Sequence, residues 1–210
     1  MDTLDPQRFL RALRNMGIDR YVSGGQEKPT FAGLKAQVGR CTGCELSRTR
    51  RSVVFGEGSE RARLVFIGEA PGEEEDRQGR PFVGRAGKLL DQMIERIGFN
   101  RKDVFICNVL KCRPPNNRDP EAQEVDACKG YLFAQLELIK PHLICTLGKY
   151  AYNTLMGVDA RITKIRGVLT SYKGTRLLPT YHPSYLLRNQ GAIKEAYEDM
   201  EQVKTLLASE

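Results

Sequence analysis

The 210-residue chain is 40% hydrophobic and 28% charged, enough apolar material for a folded domain and too much for a disordered tail. Its opening, MDTLDPQRFLRALRNMGIDR, has no apolar run, and no stretch reaches bilayer-spanning length. The expectation is therefore a soluble, cytoplasmic protein without signal peptide or membrane span. Lys and Arg total 33 against 26 acids, a net charge of +7. That balance suits a polyanionic partner or a merely basic enzyme, and charge alone leaves both open.

In chain order, residues 1–35 read as a polar, helix-prone lead-in with a linker at Ser23-Gly24-Gly25, followed by one domain over 36–210. Residues 63–68 are a short apolar run stopped by glycine, as expected of a buried strand. Over 84–97, Leu89, Leu90, Met93, Ile94 and Ile97 fall on one helical face. A second strand is predicted over 103–108. A long helix follows over 120–138, with Asp119 as N-cap and Pro120 in the first turn. Residues 142–148 give a third strand, then a helix through Tyr150, Leu155 and Met156. Residues 168–172 and 176–179 form a hairpin closing at Lys173-Gly174, and 192–208 a last amphipathic helix. Strands alternating with helices predict a parallel α/β sheet covered on both faces.

Six cysteines punctuate this pattern. Cys41 and Cys44 form a CxxC pair, Cys112 follows the second strand, and Cys128 lies in the long helix. Cys107 and Cys145 fall inside apolar strands and read as plain core. The other four make one tetrathiolate candidate, for zinc or an iron–sulfur cluster. A zinc ribbon more usually pairs two CxxC units, and only one is present, which leans toward iron–sulfur.

The richest stretch is Gly68-Glu69-Ala70-Pro71-Gly72-Glu73-Glu74-Glu75-Asp76, continuing to Arg80-Pro81-Phe82-Val83-Gly84. It begins at a strand end, where open α/β sheets bind ligands, and lacks the Gly-Lys-Ser/Thr element of a phosphate-binding loop. Of two histidines, His142 opens a strand and reads as structural. His182 follows another strand, in Tyr181-His182-Pro183-Ser184.

Together these segments resemble the family 4 uracil-DNA glycosylases, the iron–sulfur branch of that superfamily. GEAPG, RPFVGRAGKLL, NVLKCRPPNNRDP and HPSYLLRN occur in the family's order and spacing, and the likeness runs from about Cys41 to the final helix. The resemblance implies a three-layer α/β/α fold with a central four-stranded parallel sheet, and excision of uracil from DNA. It implies a [4Fe–4S] cluster on Cys41, Cys44, Cys112 and Cys128. It places the uracil O2 edge against Gly68, Glu69 and Ala70, stacks the base on Phe82, and gives base reading to Asn108 and donation to O2 to His182. Leu186, Leu187 and Arg188 would wedge the DNA.

Better-known superfamily members carry an aspartate where this chain has Ala70. The water-activating carboxylate is therefore expected at Glu75, with Glu69 second, or Glu75 guards the C5 side against thymine. The expected partner is uracil-containing DNA, single- or double-stranded, and the expected state a nucleoid-associated monomer. Two alternatives stay in view: a branch that crosslinks to uracil-DNA through a histidine in an added loop, and a non-catalytic DNA-binding module. Residues 111–120 contain no histidine and no long insertion, and a pure binder has no need of Phe82, Asn108 and His182 together.

Overall fold

A computed structural model describes residues 30–208; the expected linker and the rest of 1–29 lie outside the described residues. Helix α1 (Phe31–Gly39) starts where Thr30 Oγ1 accepts from Gly33 N at 3.0 Å, a hydroxyl N-cap. Its Leu34 and Val38 are buried in the core, so the boundary expected at 35/36 falls inside a helix of the folded body. Helix α2 (Leu46–Thr49) follows the CxxC pair. Among the described residues, no helix is long and apolar enough to cross a membrane.

The predicted strands form as β2 (Leu64–Gly68), β3 (Phe105–Asn108), β4 (Leu143–Leu147), and the hairpin β5 (Thr170–Tyr172) and β6 (Thr175–Thr180). A two-residue strand, β1 (Glu57–Gly58), is too short to leave an alternation in the sequence. The sheet order is β1-β3-β2-β4-β6-β5. Its central four strands are parallel, as expected, and the short edge strands pair antiparallel. The hairpin turns at Lys173 and Gly174, both at positive φ (48° and 86°), the two-residue turn that matches strand twist.

Side chains alternate across the sheet. Val65, Ile67, Phe105, Cys107, Ile144 and Leu177 pack toward α1, α5 (Ala122–Ile139) and α6 (Lys149–Met156). Leu64, Phe66, Ile106, Cys145 and Leu178 pack toward α4 (Arg85–Arg96), α8 (Pro183–Arg188) and α9 (Ile193–Ala208). Cys107 and Cys145 are thus core residues on opposite faces. Two short helices, α3 (Glu73–Gln78) and α7 (Ile162–Ile165), complete the chain.

One cap differs from expectation. Helix α5 is capped by Glu121, not Asp119, in a reciprocal box with Glu124. Arg118 holds the Glu124 carboxylate with two bonds, at 2.9 and 2.6 Å. Asp119 is released from the helix end and instead accepts from the Tyr150 hydroxyl.

Candidate active site

The four parallel strands end on one side of the sheet, with β2 between β3 and β4. From these ends β2 continues to β3 on one side while its neighbour β4 continues to the β5–β6 hairpin on the other, the switch point at which α/β sheets form clefts. Gly68 ends β2 and Asn108 ends β3, and the two are register partners. A Cβ on Gly68 would lie 2.3 Å from Asn108 Oδ1 and 2.5 Å from Phe82 Cζ. A side chain at this position would have to displace the Asn108 carboxamide and the Phe82 ring.

Asn108 is 1% exposed, and its Oδ1 has no hydrogen-bond partner among the described residues. Leaving such a buried acceptor unmatched costs about 1–3 kcal/mol, which points to a ligand donor. Its main chain is anchored by a residue that sequence reasoning missed. Lys111 Nζ donates to Asn108 O at 2.7 Å and to Gln135 Oε1 at 2.6 Å, while Gln135 Nε2 donates to Phe55 O. Lys111 is buried, and burial holds its ammonium below the usual lysine range.

Phe82 is buried at φ 48°, and its ring centroid lies 5.6 Å from that of His182 at a 34° tilt. A Cβ on Gly87 would meet Phe82 O at 1.9 Å, so α4 approaches this turn as closely as backbone allows. His182 is the N-cap of α8, with Pro183 in the first turn. Ser184 N donates to Nδ1 at 3.1 Å, and Ser184 Oγ lies 2.7 Å from the same nitrogen. A backbone N–H can only donate, so Nδ1 is the acceptor and the neutral ring carries its proton on Nε2. Burial, with a smaller contribution from Arg188, pushes the His182 pKa down to about 4. The ring is therefore a neutral donor near pH 7. His142 sits at the opposite end of the sheet, where Arg63 Nε donates to its Nδ1 at 3.4 Å.

The carboxylates rank differently from expectation. Glu75 Oε1 accepts from Val83 N at 2.9 Å and Gly84 N at 3.0 Å. It is a clasp between α3 and the Phe82 turn, and these bonds compete with both roles expected of it, water activation and guarding C5. Glu69 is different: burial first, then the Asp119 carboxylate, push its pKa up to about 7 against the Lys149 ammonium. Asp76 is a buried clasp of the same kind as Glu75, accepting from Arg51 N at 2.9 Å.

The predicted wedge also divides. Residues 186–188 belong to helix α8 rather than a loop, and Leu186 is buried in the core. Leu187 is half-buried and Arg188 exposed, so only these two are presented outward.

Cys41, Cys44, Cys112 and Cys128 line one pocket with Arg50, Lys111 and Tyr131, and all are free thiols. Three of these sulfurs accept N–H donors: Cys112 from Arg50 Nη1 at 3.2 Å, Cys128 from Lys111 N at 3.3 Å, Cys41 from Gly43 N at 3.4 Å. Burial pushes the Cys128 thiol up to about 12, with Lys111 opposing. Among the described residues, no three His, Cys, Asp or Glu side chains converge on one ion position.

A model of the uracil DNA glycosylase superfamily matches residues 55–202, and the chain belongs to that superfamily. It is 48% identical over 181 residues to a type-4 uracil-DNA glycosylase of Thermotoga maritima, covering 84% of this chain and 94% of the relative. Type-4 uracil-DNA glycosylases of Sulfurisphaera tokodaii and Saccharolobus solfataricus are each 47% identical, covering 82% of this chain and 83% and 84% of theirs. Within the superfamily, the chain falls in the type-4 branch.

Proposed function

We propose that this protein hydrolyses the N-glycosidic bond of deoxyuridine in DNA, releasing uracil and leaving an abasic site. The observation that carries the reading is Asn108: a buried carboxamide whose Oδ1 lacks a donor, set against Gly68 and beside the Phe82 ring. Uracil N3–H donates to such an oxygen, and its O4 accepts from the amide nitrogen of the same side chain. Cytosine presents the reverse polarity and would leave both groups unpaired in a dry site. A non-catalytic module has no use for this arrangement. Residues 111–120 carry no histidine for a crosslink.

The flipped base stacks on Phe82, with O2 against the 68–70 backbone. As the C1′–N1 bond breaks, its electron pair passes to N1 and delocalises onto O2, which His182 Nε2–H stabilises. Positive charge develops on the deoxyribose. Glu69, once ionised, stabilises that cation and takes a proton from the water that adds to C1′. Leu187 and Arg188 fill the gap left in the DNA stack. The partner is uracil-containing DNA, bound by a monomer associated with the nucleoid.

The four-cysteine pocket suits a [4Fe–4S] cluster. What supports it is one pocket lined by four free thiols, three of them accepting N–H bonds, together with the cluster that the family resemblance implies. Cys41, Cys44, Cys112 and Cys128 would hold it, and it supplies structural crosslinking, since this hydrolysis transfers no electron.

Asn108→Asp is the direct test of base reading. It is expected to slow uracil release about 10- to 100-fold, because a carboxylate accepts from N3–H but repels O4. Wild-type kinetics in both Asn108→Asp and Asn108→Ala, measured as uracil released from a deoxyuridine oligonucleotide, would remove Asn108 from the site.

Glu69 makes a separate prediction. Its carboxyl, raised from 4.5 to about 7, must ionise to act, so the single-turnover rate should rise with pH through about 7. Glu69→Gln should be slow and lack that limb. Stability runs the other way: below 4.5 the group is protonated in both states, and between 4.5 and about 7 the native state binds more protons than the unfolded one. The Glu69 contribution therefore declines as pH rises through 7, a trend absent from Glu69→Gln melts. An unchanged rising limb in Glu69→Gln would assign it to another group.

A further inference from the structure

The Phe82 turn is held from two sides by opposite charges. Glu75 accepts from the amides of Val83 and Gly84. On the other side Arg101 donates to carbonyls, through Nη1 to Phe82 O at 3.2 Å and Nη2 to Pro81 O. Arg101 is itself fixed by Asp91 Oδ1, 2.7 Å from Nη1, and by Glu57 Oε1, 3.5 Å from Nε. Glu57 is held in turn by both its oxygens, each 2.8 Å from Arg80.

This scaffolding surrounds a residue in an unusual state. Phe82 has φ 48°, a left-handed conformation that a side-chain-bearing residue keeps only where its surroundings over-determine it. A planar guanidinium bridging two successive carbonyls supplies that constraint, and an ammonium, being a point donor, cannot reproduce the fork. We propose that Arg101 is a positioning residue for the base: it locks the 81–82 carbonyls so that the Phe82 ring stays against Gly68 and beside His182. The inference rests on the reading that Phe82 stacks on the extruded base. The Arg101 side chain is only 20% exposed and four bonds or ion pairs face inward, which argues against a phosphate contact.

The test is a cycle of Arg101→Met, Arg101→Lys and Phe82→Ala, each scored by single-turnover uracil release on the full chain, with melting temperature recorded alongside. Arg101→Met should lower the rate by about 100-fold, the cost of a small misplacement of a reacting group. Arg101→Lys should fail to restore it, although it keeps the charge. In the Phe82→Ala background the same Arg101 substitutions should change the rate by less than about twofold, because the ring they position is gone. The salt slope of DNA binding should be unchanged. Restoration by lysine, full multiplicative loss in the Phe82→Ala background, or a salt slope reduced by about one would each overturn the proposal. Wild-type activity in Phe82→Ala would overturn the stacking reading and the inference with it. A low melting temperature in Arg101→Met with normal rate in both Arg101 variants would make Arg101 purely a stability residue.

Discussion

His182→Ala is expected to lower the single-turnover rate of uracil release by about 100- to 1,000-fold and to leave DNA affinity nearly unchanged, the signature of a lost transition-state donor. The tautomer of the ring sets this effect. Ser184 N–H donates to His182 Nδ1, so the proton sits on Nε2, and a donor aimed at O2 matters most when charge has moved there. Because the ring's pKa is pushed from 6.5 down to about 4, it does not titrate between pH 5 and 8. His182 should therefore add no limb of its own to the rate profile, and the rise through about 7 belongs to Glu69. The linked stability effect has a defined sign: between about 6.5 and 4 the unfolded state binds the extra proton, so stability falls as pH drops through that window. Ser184→Ala removes one contact to Nδ1 but keeps the backbone donor, and is expected to lose much less activity. An equal loss of rate and affinity in His182→Ala would make the histidine a ground-state contact.

The second large effect separates cysteines of similar burial. Cys128→Ala should abolish the brown colour and the complement of about four irons per chain expected of a [4Fe–4S] site. Loss of such a crosslink should cost about 4 kcal/mol or more, roughly 8–16 °C in melting temperature. Cys145→Ala should keep colour and iron and cost about 1 kcal/mol. Both side chains are buried, at 8% and 0% exposure, so burial cannot produce this difference. What distinguishes them is that Cys128 accepts from Lys111 N and lines the shared pocket. Cys145 sits in the apolar layer between sheet and α9. Cys41, Cys44 and Cys112 variants should follow Cys128, and Cys107→Ala should follow Cys145. Stoichiometric zinc without iron in anaerobically purified protein would contradict the assignment.

The sheet was legible because a parallel strand buried on both faces reads as a continuous apolar run. LVFIG, FICN and LICTL do so, and their glycine and asparagine stops mark the strand ends where the site gathers. Boundaries moved where side-chain hydrogen bonds outcompete pattern. Asp119-Pro120 looks like a helix start, yet the cap falls two residues later, where Glu121 and Glu124 satisfy each other's backbone amides. From sequence, Glu75 ranks ahead of Glu69, because composition carries no burial. Only the fold shows that one carboxylate is tied to backbone amides while the other is desolvated. Arg101 and Lys111 were missed for a related reason. Arg101 acts through carbonyls distant in sequence, Lys111 through the nearby Asn108 carbonyl and the Gln135 side chain, and a basic residue at a strand flank looks like a solvated one. Ser184 was findable, since a hydroxyl two residues after an N-cap histidine is within reach of its ring by local geometry.

Uracil excision read by Asn108 is the activity we propose for this chain. Incubation of the purified, iron-loaded protein with matched oligonucleotides containing one deoxyuridine, deoxycytidine or thymidine, followed by mass measurement of the released base, tests it most directly. Free uracil and an intact abasic strand are expected from the first oligonucleotide, with no cytosine or thymine from the others. Binding of the deoxyuridine strand without release of uracil, or release of cytosine at a comparable rate, would contradict it.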